Sequence, residues 1–240
     1  MTLAERVLAS IDLTNLNDGC TADEIDRLCA EAVTPFGHVA AVCVWPAFVA
    51  QSVHLLGSSP VRIATVVNFP YGGVDIDATV GETRQAITDG ADEIDVVIPY
   101  RALIAGNSVA VVEMVDAVKN AAGTAHVKAI LETGELPDQP TVAIAAELAI
   151  AAGADFVKTS TGKTRVSATP EAAHTMLEVV RAAPRPVGLK PSGGIRTLEQ
   201  AAVYVGLADQ VMGPGWATPA TFRLGASSLL ADVLAHLAVQ

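Results

Sequence analysis

Gly153-Ala154-Asp155-Phe156-Val157-Lys158-Thr159-Ser160 is the stretch that decides the fold. The glycine ends an apolar helical pattern, where a left-handed residue is favoured, and an apolar run of strand length follows at once. The run lacks the strict polar and apolar alternation of a half-exposed strand, so it predicts a strand buried on both faces. Gly90 and Gly123 end two earlier helical patterns in the same way. A helix that stops at a glycine and leads into a buried strand is therefore a recurring unit of the chain.

Eight apolar runs of strand length alternate with helical patterns along the sequence. They are residues 11–13, 40–45, 62–69, 93–98, 127–132, 156–160, 187–191 and 210–213. This alternation predicts an α/β fold with parallel strands, and its most economical form is one (β/α)8 TIM barrel, a single domain over residues 1–240. A doubly wound open sheet is the alternative, but no Gly-x-Gly-x-x-Gly motif follows the first strand to support a dinucleotide fold.

The composition argues against several classes of partner. The formal net charge is −11, so the chain lacks the basic face that nucleic-acid binding requires. The longest uncharged apolar stretch, residues 39–50, contains Pro46 and is too short to cross a bilayer. Residues 1–6 lack the basic and apolar regions of a signal peptide. We therefore expect a cytoplasmic protein without nucleic-acid or membrane partners.

The cysteine and histidine residues show no metal-binding or disulfide pattern. The three cysteines form no C-x-x-C pair, and with their odd number they make no disulfide framework. The five histidines are scattered without His-x-x-x-His or Glu-x-x-His spacing. We therefore expect no metal site.

Lysine is used sparingly and in unusual places. The chain has five lysines, and three of them, Lys128, Lys158 and Lys190, lie inside apolar runs that predict buried strands. Lysine is almost never fully buried without a partner, and burial lowers the pKa of its ammonium group. A neutral lysine amine is a nucleophile towards carbonyl carbon. The pattern therefore indicates imine chemistry.

Charged residues of both signs lie in five of the predicted strands. They are Asp12, Asp95, Lys128, Glu132, Lys158 and Lys190. In a barrel strand such residues must point into the lumen, near the C-terminal mouth where active sites are built. A buried ion-pair layer that only fixes the register of the strands is the alternative for any one of them, but their convergence favours an active site. For Glu132 we expect a pairing role, with Lys128 as its partner.

Two loops rich in hydrogen-bond donors point to a phosphate site. Residues 192–196 (Ser-Gly-Gly-Ile-Arg) follow the seventh predicted strand, and residues 225–228 (Gly-Ala-Ser-Ser) open the last helix. Loops that follow the last two strands and end at a helix N-terminus are the usual phosphate site of this fold. The expected donors are the backbone amides of Gly193 and Gly194 and the side chains of Ser227, Ser228 and Lys163.

Seven motifs, in order along the chain, resemble those of the 2-deoxyribose-5-phosphate aldolase family. They are residues 12–16 (Asp-Leu-Thr-Asn-Leu), 67–70 (Val-Asn-Phe-Pro), 90–97 (Gly-Ala-Asp-Glu-Ile-Asp-Val-Val), 131–135 (Leu-Glu-Thr-Gly-Glu), 158–163 (Lys-Thr-Ser-Thr-Gly-Lys), 190–196 (Lys-Pro-Ser-Gly-Gly-Ile-Arg) and 225–230 (Gly-Ala-Ser-Ser-Leu-Leu). The resemblance implies a class I aldolase on a (β/α)8 barrel, which needs no cofactor or metal. It also implies reversible cleavage of 2-deoxy-D-ribose 5-phosphate to acetaldehyde and D-glyceraldehyde 3-phosphate.

The resemblance also implies a role for each site residue. Lys158 corresponds to the Schiff-base lysine, Lys190 to the second lysine beside it, and Asp95 to the carboxylate that transfers protons. Asp12 and Lys128 correspond to a supporting polar network. The residues in the position of the phosphate site are Lys163, Gly193, Gly194, Arg196, Ser227 and Ser228.

The implied partners are a small phosphorylated sugar and aldehydes, and a homodimer is a candidate assembly. The chain departs from the family pattern at Ser192, where alanine is frequent. Some members also continue into a tail that ends in tyrosine, whereas this sequence stops at Gln240, so a role for such a tail is not carried over.

Electrostatics lead to one further expectation about the two lysines. Lys190, on the strand next to that of Lys158, should lower the pKa of Lys158 by repulsion, and burial should add to the effect. Lys190 itself should stay charged through Asp95 or Asp12.

Two other functions stay open on the sequence. An imine-forming aldolase of the transaldolase or fructose-bisphosphate type would share the barrel and the lysine but accept a ketose. A non-catalytic sugar-phosphate-binding barrel would bind the phosphate without forming an adduct that borohydride traps.

Overall fold

The computed structural model describes residues 1–239, and its strands build a barrel. Along the chain the strands are β1 (Ile11–Asn15), β2 (Val33–Thr34), β3 (Gly37–His38), β4 (Ala41–Val44), β5 (Arg62–Val67), β6 (Glu93–Val97), β7 (His126–Ile130), β8 (Phe156–Lys158), β9 (Gly188–Lys190) and β10 (Leu224–Ala226). Strands β2 and β3 form a separate antiparallel pair. The other eight pair in parallel in chain order, and β10 pairs with β1. Parallel bridges from Leu189 to Phe222 and from Ser192 to Gly225 close the barrel between β9 and β10. The (β/α)8 barrel expected from the sequence is confirmed.

Helices cover the outside of the barrel. They are α1 (Leu3–Ser10), α2 (Ala22–Glu31), α3 (Val49–Leu56), α4 (Ile76–Thr88), α5 (Tyr100–Ile104), α6 (Val109–Ala122), α7 (Gln139–Ala151), α8 (Pro170–Ala182), α9 (Leu198–Met212) and α10 (Leu229–Leu237). The side chains of Thr169 and Thr197 cap α8 and α9 by accepting hydrogen bonds from the first helical turn. The helices of residues 1–239 include none with the length and apolar character needed to cross a bilayer.

The eighth predicted strand is wrong. Residues 210–213 form the end of α9 and its cap at Gly213, whereas the last barrel strand is Leu224–Ala226. Val211 and Met212 pack against the core from the helix, and a short apolar run does not by itself distinguish a buried helix face from a strand. The true strand is only three residues long and directly follows a charged residue, Arg223, so it lacks the apolar run that identified the others.

The other seven predicted strands each overlap an observed strand. Most were predicted too long at the C-terminal end, because their last residues leave the ladder and enter the loops at the mouth of the barrel. The apolar core fills the layer between the strands and the helices. The interior of the barrel itself, by contrast, holds charged side chains.

Candidate active site

Seven charged side chains lie together inside the barrel, each nearly or fully inaccessible to solvent. This barrel cluster consists of Asp12, Glu93, Asp95, Lys128, Lys158, Lys190 and Arg223. The register explains the convergence, because Asp95 lies opposite Lys128 and Lys158 lies opposite Lys190 on neighbouring strands. Residues directly opposite each other point to the same face of a sheet, which here is the lumen. All five residues predicted as catalytic or supporting are therefore in one cluster.

Asp95 is the centre of the cluster and contacts all three buried lysines. Its Oδ1 atom accepts a hydrogen bond from Lys128 Nζ at 2.7 Å. Its Oδ2 atom accepts from Lys158 Nζ and from Lys190 Nζ, both at 2.8 Å. Burial by itself would raise the pKa of Asp95, but the three lysines outweigh it and hold the pKa well below its usual range. Asp95 is therefore a carboxylate at neutral pH.

Two more carboxylates hold the cationic groups on the far side of Asp95. Asp12 Oδ2 lies 2.6 Å from Lys190 Nζ, and Asp12 Oδ1 accepts from Arg223 at 2.8 Å. Glu93 lies 2.6 Å from Lys128 Nζ and 2.8 Å from the Arg223 guanidinium. Sequence reasoning missed Glu93 and Arg223. Glu93 opens a predicted strand, where its alternation with Asp95 could have identified it, whereas Arg223 lies beside the strand that was misplaced.

The charges of the cluster do not balance. It contains three carboxylates and four cationic groups, and Lys158 is the cation with a single carboxylate partner. Burial is the largest influence on Lys158 and lowers its pKa, the contact with Asp95 opposes this, and the Lys190 ammonium adds to the lowering. The net result is a pKa below the ordinary lysine value, so Lys158 carries the least stable charge of the cluster.

Lys190, by contrast, is held in its charged ammonium form. Burial disfavours its ammonium form, but Asp12 and Asp95 more than offset that effect, and the pKa of Lys190 is raised. The expectation that Lys190 stays charged through Asp95 or Asp12 agrees with both contacts. The relative weight of the two influences on Lys158 differs from the expectation, because burial contributes more than the repulsion from Lys190.

Glu132 has a different role from the predicted one. It forms no hydrogen bond with Lys128. Instead its carboxylate accepts hydrogen bonds from the backbone N–H and hydroxyl of Thr161 and from the hydroxyl of Thr164 at 3.3 Å. The reason lies in the backbone, because β7 ends at Ile130 and Glu132 has φ +54°, which breaks the alternation that would have aligned it with Lys128. Glu132 therefore anchors the loop that follows β8.

A cleft of about 540 Å³ opens above Lys158 at the C-terminal mouth of the barrel. All six residues expected at the phosphate site line it, namely Lys163, Gly193, Gly194, Arg196, Ser227 and Ser228. Gly193 and Gly194 have φ of +86° and +82°, and a Cβ at Gly193 would lie 2.6 Å from the Ser167 hydroxyl. The loop therefore requires glycine at both positions. The Gly193 N–H, expected as a phosphate donor, already donates a hydrogen bond to the carbonyl oxygen of Gly225 at 3.2 Å.

The rim of the cleft contains groups that the sequence did not reveal. Lys163 Nζ forms an ion pair of 2.6 Å with the exposed carboxylate of Asp18, which follows β1. Arg165 and Ser167, in the loop after β8, also line the cleft. The loop carries six further positions beyond the matched motif, residues 164–169, and nothing in their spacing indicated that Arg165 and Ser167 turn back towards the mouth.

Residues 6–234 match the model of the DeoC/LacD family of aldolases. The chain is 54% identical over 237 residues to a protein from Agrobacterium fabrum named deoxyribose-phosphate aldolase, with 98% of this chain and 92% of the relative covered. A crystal structure of a provisionally assigned deoxyribose-phosphate aldolase from Coccidioides immitis is 33% identical, with a TM-score of 0.88 and coverage of 99% and 87%. A tetrameric deoxyribose phosphate aldolase from Aeropyrum pernix is 26% identical, with a TM-score of 0.81 and coverage of 98% and 92%. The chain therefore belongs to the DeoC/LacD family of aldolases.

Proposed function

We propose that this protein is a class I deoxyribose-phosphate aldolase, which cleaves 2-deoxy-D-ribose 5-phosphate reversibly to acetaldehyde and D-glyceraldehyde 3-phosphate. The observation that carries the proposal is the position of Lys158, a buried lysine with a lowered pKa at the floor of a cleft lined with anion-binding groups. The name of the Agrobacterium relative supports the same substrate.

Lys158 is the nucleophile of the first step. Its neutral amine adds to the C1 aldehyde of the open-chain sugar, and loss of water gives a protonated imine. Asp95 Oδ2, 2.8 Å from Lys158 Nζ, lies beside the nitrogen that carries this positive charge. The carboxylate therefore stabilises the imine cation, which is the electron sink for the next step.

Cleavage of the C2–C3 bond moves its electron pair to C2 and neutralises the imine nitrogen as an enamine. The C3 hydroxyl loses its proton, and D-glyceraldehyde 3-phosphate leaves. We assign the proton acceptor to Asp95, directly or through one water. Its low pKa makes Asp95 a weak base in the resting cluster, but the loss of the neighbouring imine charge makes the carboxylate more basic at the moment of cleavage. Protonation of the enamine at C2 and hydrolysis then release acetaldehyde and regenerate Lys158.

The cleft supplies binding energy far from the reacting bond. The substrate phosphate is expected to lie against the Gly194 amide and the N-terminus of α10, with Ser228 at the cap position of that helix. A helix N-terminus and glycine amides are favourable for an anion. This remote attachment fixes C1 over Lys158 and orients the C2–C3 bond.

An assay of both reaction directions tests the function. We expect release of acetaldehyde from 2-deoxy-D-ribose 5-phosphate, and synthesis from acetaldehyde and D-glyceraldehyde 3-phosphate. Dihydroxyacetone phosphate should not replace acetaldehyde as the donor. Use of the ketose in its place would support an aldolase of the transaldolase or fructose-bisphosphate type, and binding without turnover would support a sugar-phosphate-binding barrel.

Ser228→Asp is expected to lower kcat/KM for the phosphorylated substrate selectively. The substitution places a carboxylate at the N-terminus of α10, where it repels the substrate phosphate. We expect kcat/KM for 2-deoxyribose 5-phosphate to fall at least about 30-fold, which corresponds to about 2 kcal/mol, and kcat/KM for 2-deoxyribose to change by less than about threefold. Ser228→Asn is the uncharged control of similar size. An equal loss for both substrates would mean that the loop is only structural.

Cleavage is expected to continue in excess EDTA, because the protonated imine accepts the electron pair of the breaking bond. Within residues 1–239, no group of three or more His, Cys, Asp and Glu side chains is arranged to hold a metal ion. The measurement compares initial rates before and after dialysis against EDTA. Activity that is lost on chelation and restored by a divalent ion would contradict the imine mechanism and indicate a class II aldolase.

The domain organisation, the location and the assembly are proposed separately from the activity. We infer a single catalytic domain over residues 1–240, located in the cytoplasm, and a homodimer in solution. The barrel strands extend from Ile11 to Ala226, which supports one domain. Light scattering coupled to size exclusion measures the assembly, and a tetramer like that of the Aeropyrum pernix relative would replace the homodimer.

A further inference from the structure

Arg223 and Glu93 form an ion pair inside the barrel that does not reach the cleft. The guanidinium lies 2.8 Å from Glu93 Oε1 and 3.1 Å from Glu93 Oε2, and both side chains are almost completely buried. The guanidinium carbon of Arg223 lies over the ring of Phe156, 5.6 Å from its centroid. Neither residue lines the cleft, so neither is placed to touch the substrate.

Burying this ion pair costs desolvation free energy, and a contribution to stability does not by itself explain why the pair is present. The desolvation of two ions in a protein interior costs several kcal/mol per ion, and buried pairs are often replaceable by apolar residues of similar size. What distinguishes this pair is its connection to the imine-forming lysine. Glu93 contacts Lys128, which contacts Asp95, which contacts Lys158. Arg223 reaches the same carboxylate through Asp12 and Lys190.

We propose that Arg223 and Glu93 are positioning residues that set the net charge of the barrel cluster and thereby the fraction of Lys158 that is neutral. The inference rests on the proposed role of Lys158 as the imine-forming lysine. With both residues present, the cluster has one cation more than its carboxylates, and the excess falls on the lysine with the fewest carboxylate contacts. Removing the Arg223 charge takes away the one-cation excess, and removing the Glu93 charge raises the excess to two cations.

All other charged and titratable groups around Lys158 stay in place when this pair is altered. They are Asp95 on β6, Lys190 on β9, Cys43 on β4 and Glu132 after β7, with Lys128 on β7 and Asp12 on β1 behind them. His126, the first residue of β7, faces the pair itself, with Nδ1 4.0 Å from Glu93 Oε1. Because the cluster is closed to solvent, its charges are weakly screened. A unit charge about 10 Å from a buried group, at an effective dielectric near 20, changes its proton affinity about tenfold, or about one pH unit.

The test measures how fast acetaldehyde is trapped on Lys158 by cyanoborohydride across about pH 5 to 10, with the site confirmed by peptide mass. Arg223→Gln removes a positive charge, so Lys158 binds its proton more tightly and the acidic midpoint moves up by about one pH unit. Glu93→Gln removes a negative charge, so the midpoint moves down by about one pH unit. The double variant restores the wild-type charge, and its midpoint is expected within about 0.3 pH unit of the wild type.

Arg223→Lys is the control that keeps the charge, and its midpoint should stay near that of the wild type. A partly folded variant lowers the amount of adduct but leaves the midpoint of the folded fraction unchanged, so reduced stability does not imitate the predicted shifts. Shifts of the two single variants in the same direction, or midpoints that do not move, would overturn this inference alone. If no adduct forms on Lys158 of the wild-type protein at any pH, the proposed function fails and this inference fails with it.

Discussion

Lys158→Leu is expected to abolish cleavage of 2-deoxy-D-ribose 5-phosphate, with a fall in kcat of at least about 10⁴-fold. Leucine has no amine to form the imine, so the C2–C3 bond loses its electron sink. The fold should survive, because the remaining cluster contains three carboxylates and three cations, and Asp95 keeps its contacts with Lys128 and Lys190. Circular dichroism should match that of the wild type.

Trapping with acetaldehyde and borohydride complements the kinetic measurement. The wild-type protein should gain one reduced ethyl group, located on Lys158, and Lys158→Leu should gain none. Lys158→Arg is the matched control, since it keeps a positive charge beside Asp95 but its guanidinium stays protonated and forms no imine. Activity in Lys158→Arg would show that charge is sufficient, and a label mainly on Lys128 or Lys190 would assign the nucleophile elsewhere.

Local sequence was sufficient to predict most of the barrel and the centre of the site. A lysine inside an apolar strand has one plausible direction in a barrel, towards the lumen, which is why Lys128, Lys158 and Lys190 were placed correctly. The Gly193–Gly194 pair at positive φ and each of the seven motifs were likewise visible within a single segment. These features depend on neighbours within a few residues, so one sequence contains them.

The features that were missed depend on contacts between distant segments. Arg223 is part of the site because it donates a hydrogen bond to Glu93, which lies 130 positions earlier in the chain. Glu132 was assigned to the wrong partner because strand alternation assumes extended backbone, and its positive φ has no signature in a residue that is not glycine. Which carboxylate compensates which lysine is a property of the assembled barrel, and the excess of one cation became visible only when the contacts were known.

Lys190→Leu is expected to move the acidic limb of the pH–rate profile up by about one pH unit or more. The pKa of Lys190 is raised, so its side chain is charged throughout the neutral pH range. Its ammonium group and that of Lys158 both donate to Asp95 Oδ2. Its removal acts twice in the same direction, because the repulsion disappears and Asp95 is left to stabilise the Lys158 ammonium. An ordinary lysine is neutral in only about one molecule in 2,500 at pH 7. Any rise of the Lys158 pKa towards the ordinary lysine value therefore lowers activity.

The measurement is the pH dependence of kcat/KM for Lys190→Leu, with Lys190→Arg as the control that keeps the positive charge. The Leu variant should lose at least about tenfold in activity at pH 7 and recover part of it at higher pH, where Lys158 is neutral again. The Arg variant should keep an acidic limb near that of the wild type, even if its larger side chain lowers the maximal rate. If the Leu variant instead keeps the wild-type acidic limb and loses activity equally at every pH, then burial and Asp95 alone set the state of Lys158, and the contribution of Lys190 lies in proton transfer after the imine has formed.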